Sequence, residues 1–126
     1  MKLHESGEDY LEVILRLSRT QSTVRSVDVA AELGYSKPSV SVAMKHLREG
    51  GLVIMESDGN LLLTPEGKAI AEGVWERHRV VTALLTHLGV SSHVAHTDAC
   101  KIEHDLSEET FEKIKAWVAS IDGRED

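Results

Sequence analysis

Cys100, Glu103 and His104 stand at i, i+3 and i+4, and His96 lies four residues before Cys100. On a helix these spacings line four donors along one stripe. Thiolate, imidazole and carboxylate together suit a divalent transition ion: Mn²⁺, Fe²⁺, Co²⁺ or Zn²⁺. Asp9 and Glu12 repeat the i, i+3 spacing near the start of the chain, and His78 offers a further imidazole. Singly, each has an ordinary reading: a small buried cysteine, a solvated Glu–His face, a carboxylate at the positive end of a helix. Their shared helical phase is what points to a metal. Without an ion, Asp9, Glu12 and Glu103 repel one another; a ligand set complete only when the first helix is docked gives the ion a preferred state. His4, His46, His87 and His93 have no such company and read as structural or surface residues.

A second chemistry lies in a locally basic stretch. The chain carries 14 Lys plus Arg against 21 Asp plus Glu, a net charge of −7 that argues against a general polyanion binder. Residues 34–55 nevertheless hold Lys37, Lys45 and Arg48 against Glu49 alone. Val40, Ala43, Met44 and Leu47 form an apolar stripe there, so Lys37, Ser39, Ser41, Val42, Lys45 and Arg48 face outward. The helix start Ser36-Lys37-Pro38-Ser39, with Ser41, offers hydroxyls and amides to phosphate. Lys45 can reach phosphate or guanine, and Val42 a thymine methyl. Arg25 is a natural phosphate clamp. A helical pair with a solvated basic face is the plain alternative.

The elements that must position these groups follow from periodicity and punctuation. Residues 8–19 read as an amphipathic helix capped by Ser6, with Leu11, Val13, Ile14 and Leu15 inward. Ser26 caps a short helix that Gly34 stops, and Ser36 caps the next, which Gly50-Gly51 ends. Leu52–Met55 and Leu61–Leu63, joined by Ser57-Asp58-Gly59-Asn60, signal a β-hairpin. Helix, short helix, helix, hairpin is the winged helix-turn-helix order.

Thr64-Pro65-Glu66 opens a long helix to about Leu88, and Ser91 or Ser92 begins another to about Asp105. A last helix starts at Ser107 and ends at Gly123, with Phe111, Ile114, Trp117, Val118 and Ile121 inward. The expected fold is mostly α: a winged helix-turn-helix DNA-binding domain over 1–64, then an all-helical metal-binding and dimerisation domain over 65–126.

At 126 residues, with 41% apolar and 28% charged residues, the chain suits a globular protein with a real core. No Gly-rich phosphate loop is present, which excludes the large nucleotide-binding folds. No apolar run spans a membrane, the start lacks a signal region, and the one cysteine cannot form an internal disulfide. The expected compartment is the cytoplasm.

The residues resemble the iron- and manganese-dependent transcriptional repressors typified by the diphtheria toxin repressor and the manganese transport regulator. The resemblance covers nearly the whole chain. It is carried by Glu8-Asp9-Tyr10-Leu11-Glu12, Ser36-Lys37-Pro38-Ser39-Val40-Ser41, Leu63-Thr64-Pro65-Glu66-Gly67 and Arg77-His78-Arg79. Its most specific part is Cys100-Lys101-Ile102-Glu103-His104-Asp105-Leu106-Ser107 with His96 upstream.

The resemblance implies a homodimer that binds a palindromic operator when loaded with metal and represses metal-uptake genes, with no membrane or small-molecule substrate as partner. It further implies that Asp9 and Glu12 match manganese-type ligands, Cys100 an iron-type ligand, and His78, Glu103 and His104 ligands of both types. His96 matches an ancillary-site ligand of the iron type, although Thr82 replaces that site's glutamate. Val42 stands where iron-type repressors place a base-facing glutamine. Compared with the longer members, a C-terminal SH3-like domain is lacking. Ile70, Val74, Val81, Leu84, Leu85 and Leu88 cover a wide face of the long helix, enough for a core and a partner. Two rivals stand beside this reading: a metal-independent winged-helix regulator, and a small zinc hydrolase that needs an open coordination position in a substrate-sized cleft.

Overall fold

A computed structural model describes residues 5–124. The order is α1 (Glu5–Ser18), α2 (Ser26–Leu33), α3 (Lys37–Glu49), β1 (Val53–Met55), β2 (Leu61–Leu63), α4 (Pro65–His87), α5 (Ser92–Ile102) and α6 (Glu108–Arg124). The chain forms two compact units, Met1–Gly73 and Val74–Asp126, the boundary falling within α4. Among the described residues no helix is long and apolar enough to cross a membrane.

The first unit is a winged helix-turn-helix. Its core joins Leu11 and Ile14 of α1, Val29 of α2, Val40 and Met44 of α3, and Leu52, Leu61 and Ala71, all 4% exposed or less. Each large aliphatic side chain so buried contributes about 1.5–3 kcal/mol. The hairpin pairs Val53 with Leu63, Ile54 with Leu62 and Met55 with Leu61 in antiparallel register. Alternation along it turns Val53 and Leu61 inward and leaves Ile54 and Leu62 exposed. Gly34, at φ 71°, takes the left-handed conformation that closes α2 and aims the chain into α3.

Two predicted helix starts lie elsewhere. Helix α1 is described from Glu5, and Ser6 lies inside it instead of capping it. Arg25, not Ser26, is the residue before α2. The reason is tertiary: the Leu61 amide donates to the Val24 carbonyl at 2.7 Å, and the Val24 amide donates to Asn60 Oδ1 at 2.9 Å. That pairing holds the chain extended through Arg25, whose amide then donates to the Asp28 carboxylate at 2.9 Å.

Ser36 does cap α3, accepting from the Ser39 amide at 3.3 Å. Thr64 caps α4 in the same way, its hydroxyl accepting from the Gly67 amide at 3.1 Å and donating to the Gly51 carbonyl at 2.8 Å.

In the second unit Val74 and Val81 of α4, Ala95 and Ala99 of α5, and Phe111 and Val118 of α6 are buried. Trp117 departs from the inward stripe and is 42% exposed, with its ring edge-on to His87 at 6.4 Å. Leu88 is 66% exposed and lies just past the last residue of α4. Helix α6 continues through Gly123 to Arg124, so Gly123 does not end it. Helix α5 ends at Ile102, three residues earlier than expected.

Candidate metal centre and nucleic-acid interface

Helices α4 and α5 bring three donors together. His78 of α4 and His96 and Cys100 of α5 each offer a ligand atom, all within 4.8 Å of one another. Two donors bound to one transition ion at about 2.0–2.3 Å stand at most about 4.5 Å apart. The triad is therefore close to the spacing an ion requires. His78 is its hinge: Nε2 lies 2.9 Å from His96 Nδ1, and Nδ1 lies 3.8 Å from Cys100 Sγ. The His78 ring also stacks near Trp75, with centroids 6.2 Å apart, and meets His96 edge-on at 4.6 Å.

Glu103 adds the negative charge. It is 4% exposed, and its Oε2 lies 2.8 Å from His78 Nδ1. This contact ties the His78 ring to the residue that follows α5 and fixes its orientation. His104 Nε2 stands 3.5 Å from the other oxygen, Oε1. The donor set of thiol, imidazoles and buried carboxylate fits a divalent transition ion.

His96 and Cys100 share a face of α5, but Glu103 and His104 do not lie on the same helix as expected. Glu103 is the residue that follows α5, still helical at φ −57° and ψ −29°, with its amide donating to the Ala99 carbonyl. His104 belongs to the turn beyond. Arg77 holds the turn that follows. Its Nη1 donates to the Glu103 carbonyl at 3.1 Å and to the Leu106 carbonyl at 2.8 Å. The Glu103 oxygen, one of the carbonyls a helix end leaves without an amide, is thus satisfied by a side chain.

Arg77 also donates to Glu108 at 3.3 Å and rests over the Phe111 ring at 4.9 Å. One side chain of α4 thereby fastens the turn that carries two site residues and the start of α6. Sequence reasoning missed that role, since the partners lie 26 to 31 residues away.

On α1, Asp9 is half-buried, and Glu12 one turn later is held by Arg16, whose Nε donates to Glu12 Oε1 at 3.1 Å. Arg16 Nη1 reaches Glu32 of α2 at 2.7 Å. Burial pulls the Arg16 guanidinium down, and the hydrogen bonds to Glu32 and Glu12 more than reverse it. The group is a permanent cation.

The outward residues of α3 are where the periodicity puts them. Lys37, Ser39, Ser41, Val42, Lys45 and Arg48 are exposed, and Val42 is 57% exposed. Ser36 and Pro38 are exposed beside them, with Ser36 Oγ donating to Ser39 Oγ at 2.8 Å. Arg25 turns toward the hairpin: its Nε donates to the Asp58 carbonyl at 3.0 Å, and its aliphatic stem covers Gly59. It steadies the wing.

The comparisons with known proteins agree with both halves. Residues 2–61 match the N-terminal DNA-binding domain of the iron dependent repressors. Residues 64–123 match the metal binding and dimerisation domain of the same family. The transcriptional regulator MntR of Escherichia coli O6:H1 is 41% identical over 111 residues, covering 88% of this chain and 72% of that protein. The diphtheria toxin repressor of Corynebacterium diphtheriae is 33% identical over 113 residues, covering 89% of this chain and 50% of the repressor.

A manganese-dependent transcriptional repressor solved in complex with manganese superposes with a TM-score of 0.83 at 30% identity, over 90% of this chain and 52% of that one. The chain spans about half the length of these last two proteins. The family is one of transcriptional repressors, which removes the zinc hydrolase. With matches to a DNA-binding domain and to a metal-binding and dimerisation domain, and a 41% identical regulator matched over 72% of its length, the chain belongs to the iron-dependent repressor family.

Proposed function

We propose that the protein is a metal-responsive repressor of manganese or iron uptake genes, acting in the cytoplasm as a homodimer on a palindromic operator. The observation that carries this reading is the His78–His96–Cys100 triad with buried Glu103 beside it, in a chain that also exposes a basic reading helix. Asp9, Glu12, His78, Cys100, Glu103 and His104, with His96, are the residues we assign to the ion. The i, i+3 pairing of Asp9 and Glu12 supports their part in it.

A divalent cation supplies positive charge and directed bonds. Asp9, Glu12 and Glu103 then share a counter-charge instead of repelling one another, and the first helix acquires a preferred position. This is the differential affinity an effector must have in order to shift an equilibrium. Carboxylates favour Mn²⁺, and the Cys100 thiolate favours Fe²⁺, Co²⁺ or Zn²⁺.

On the DNA side, Ser36, Lys37, Pro38, Ser39 and Ser41 meet phosphate, and Lys45 meets phosphate or guanine. Val42 meets an apolar base edge, and Arg25 acts at the phosphate side while holding the wing. The test is fluorescence anisotropy on inverted-repeat duplexes, titrated separately with Mn²⁺, Fe²⁺ and Zn²⁺ under reducing conditions. The parent should bind only with metal. The double variant Asp9→Ala, Glu12→Ala should stay a folded dimer and lose the metal-dependent gain. Equal operator affinity of variant and parent at saturating metal refutes the coupling.

A further inference from the structure

We propose that Arg16 is a tethered counter-ion that competes with the metal for Glu12 and thereby determines how tightly the protein takes the ion. The inference rests on the reading of Glu12 as a ligand. Arg16 sits one turn after Glu12 on α1 and engages two carboxylates at once, Glu12 at 3.1 Å and Glu32 of α2 at 2.7 Å. The Glu12 side chain is only 15% exposed, so its pairing with Arg16 is screened less than a surface pair.

The chemistry of competition is direct. A guanidinium has five N–H donors and no accessible neutral form. A carboxylate oxygen that accepts from it is a weaker donor to a second cation, and a divalent ion held nearby is repelled by the arginine's charge. To take an ion, Glu12 must loosen its hold on Arg16. Glu32 makes that exchange reversible, because the released guanidinium keeps a carboxylate partner and no charge is stranded.

The bridge has a second consequence. Glu32 lies on α2 of the reading head, so the state of Glu12 is felt there through one side chain. With Glu12 on the ion, Arg16 rests on α2 alone; with Glu12 free of the ion, Arg16 is divided between α1 and α2.

The experiment is Mn²⁺ binding to the full chain, read from the electron paramagnetic resonance signal of free Mn²⁺ at fixed ionic strength. Arg16→Met keeps the apolar stem and removes the charge, and should bind about tenfold more tightly. Arg16→Gln repeats the test with a polar side chain. Glu32→Gln leaves Arg16 on Glu12 alone and should bind about threefold more weakly. In a Glu12→Gln background the gain from Arg16→Met should vanish. Unchanged or weaker binding by both Arg16 variants, with Glu12→Gln impaired, overturns the competition alone. Parent-like binding by Glu12→Gln removes the ligand reading itself, and this inference with it.

Discussion

The guanidinium of Arg77 lies 3.1 Å from the backbone carbonyl of Glu103, so the residue next to His78 in sequence also holds the turn that carries Glu103 and His104. Arg77 therefore holds the turn after α5 beside His78, in addition to the direct 2.8 Å contact between His78 and Glu103. Groups that orient metal ligands typically matter about 10–100-fold in affinity.

Arg77→Lys should accordingly weaken Mn²⁺ binding about tenfold, because an ammonium lacks the fork that reaches two carbonyls and Glu108 together. The visible spectrum of the Co²⁺ form should change as well. A variant that melts earlier yet binds Mn²⁺ with parent affinity and shows the parent Co²⁺ spectrum would mark Arg77 as a packing residue only.

Cys100 is the chain's one cysteine, so any thiolate-to-metal charge-transfer band of the Co²⁺ protein must come from it. Cys100→Ser should abolish that band and shift preference from Zn²⁺ toward Mn²⁺. An unaltered order of metal affinities would place the thiol outside the coordination sphere.

Gly67 is buried in the first turn of α4, and a methyl group there would overlap the carbonyl oxygen of Leu52. That oxygen also accepts from the Thr64 amide at 3.1 Å, so it cannot retreat freely. Gly67→Ala should destabilise the protein by about 1–3 kcal/mol, seen as a lower midpoint in urea. A parent-like midpoint would mean the α4 start yields easily.

Burial pushes the Tyr10 phenol above its usual 10.0, and Tyr35, edge-on at 5.9 Å, adds to the rise. The fold therefore favours the protonated phenol. Its contribution is complete below pH 10 and is lost as pH climbs through the folded value. Tyr35→Phe leaves one tyrosine, whose ultraviolet titration midpoint should still stand above 10.0, since burial is the larger cause. A midpoint at or below 10.0 would contradict it.

Much of the architecture is legible in the residues. Ser36 and Thr64 announce their helices through hydroxyls that a local backbone amide must meet, and the stripe Val40, Met44, Leu47 separates the inner face of α3 from its outer one. The Asp58-Gly59 turn does the same for the hairpin. These signals are local: each depends on residues within about two helical turns, so spacing and chemical type suffice to read them.

What tertiary structure alone decided lies between residues distant in sequence. Val24 meets Leu61 and Asn60 across the first unit, and so Arg25, not Ser26, precedes α2. Arg77 takes the Glu103 and Leu106 carbonyls and so fixes the turn after α5 into which two of the expected stripe residues fall. Arg16 spans from Glu12 to Glu32. In each case a hydrogen bond between residues distant in sequence fixes what local spacing leaves open. Periodicity carries only the local partners, and the distant ones are known once the chain is folded.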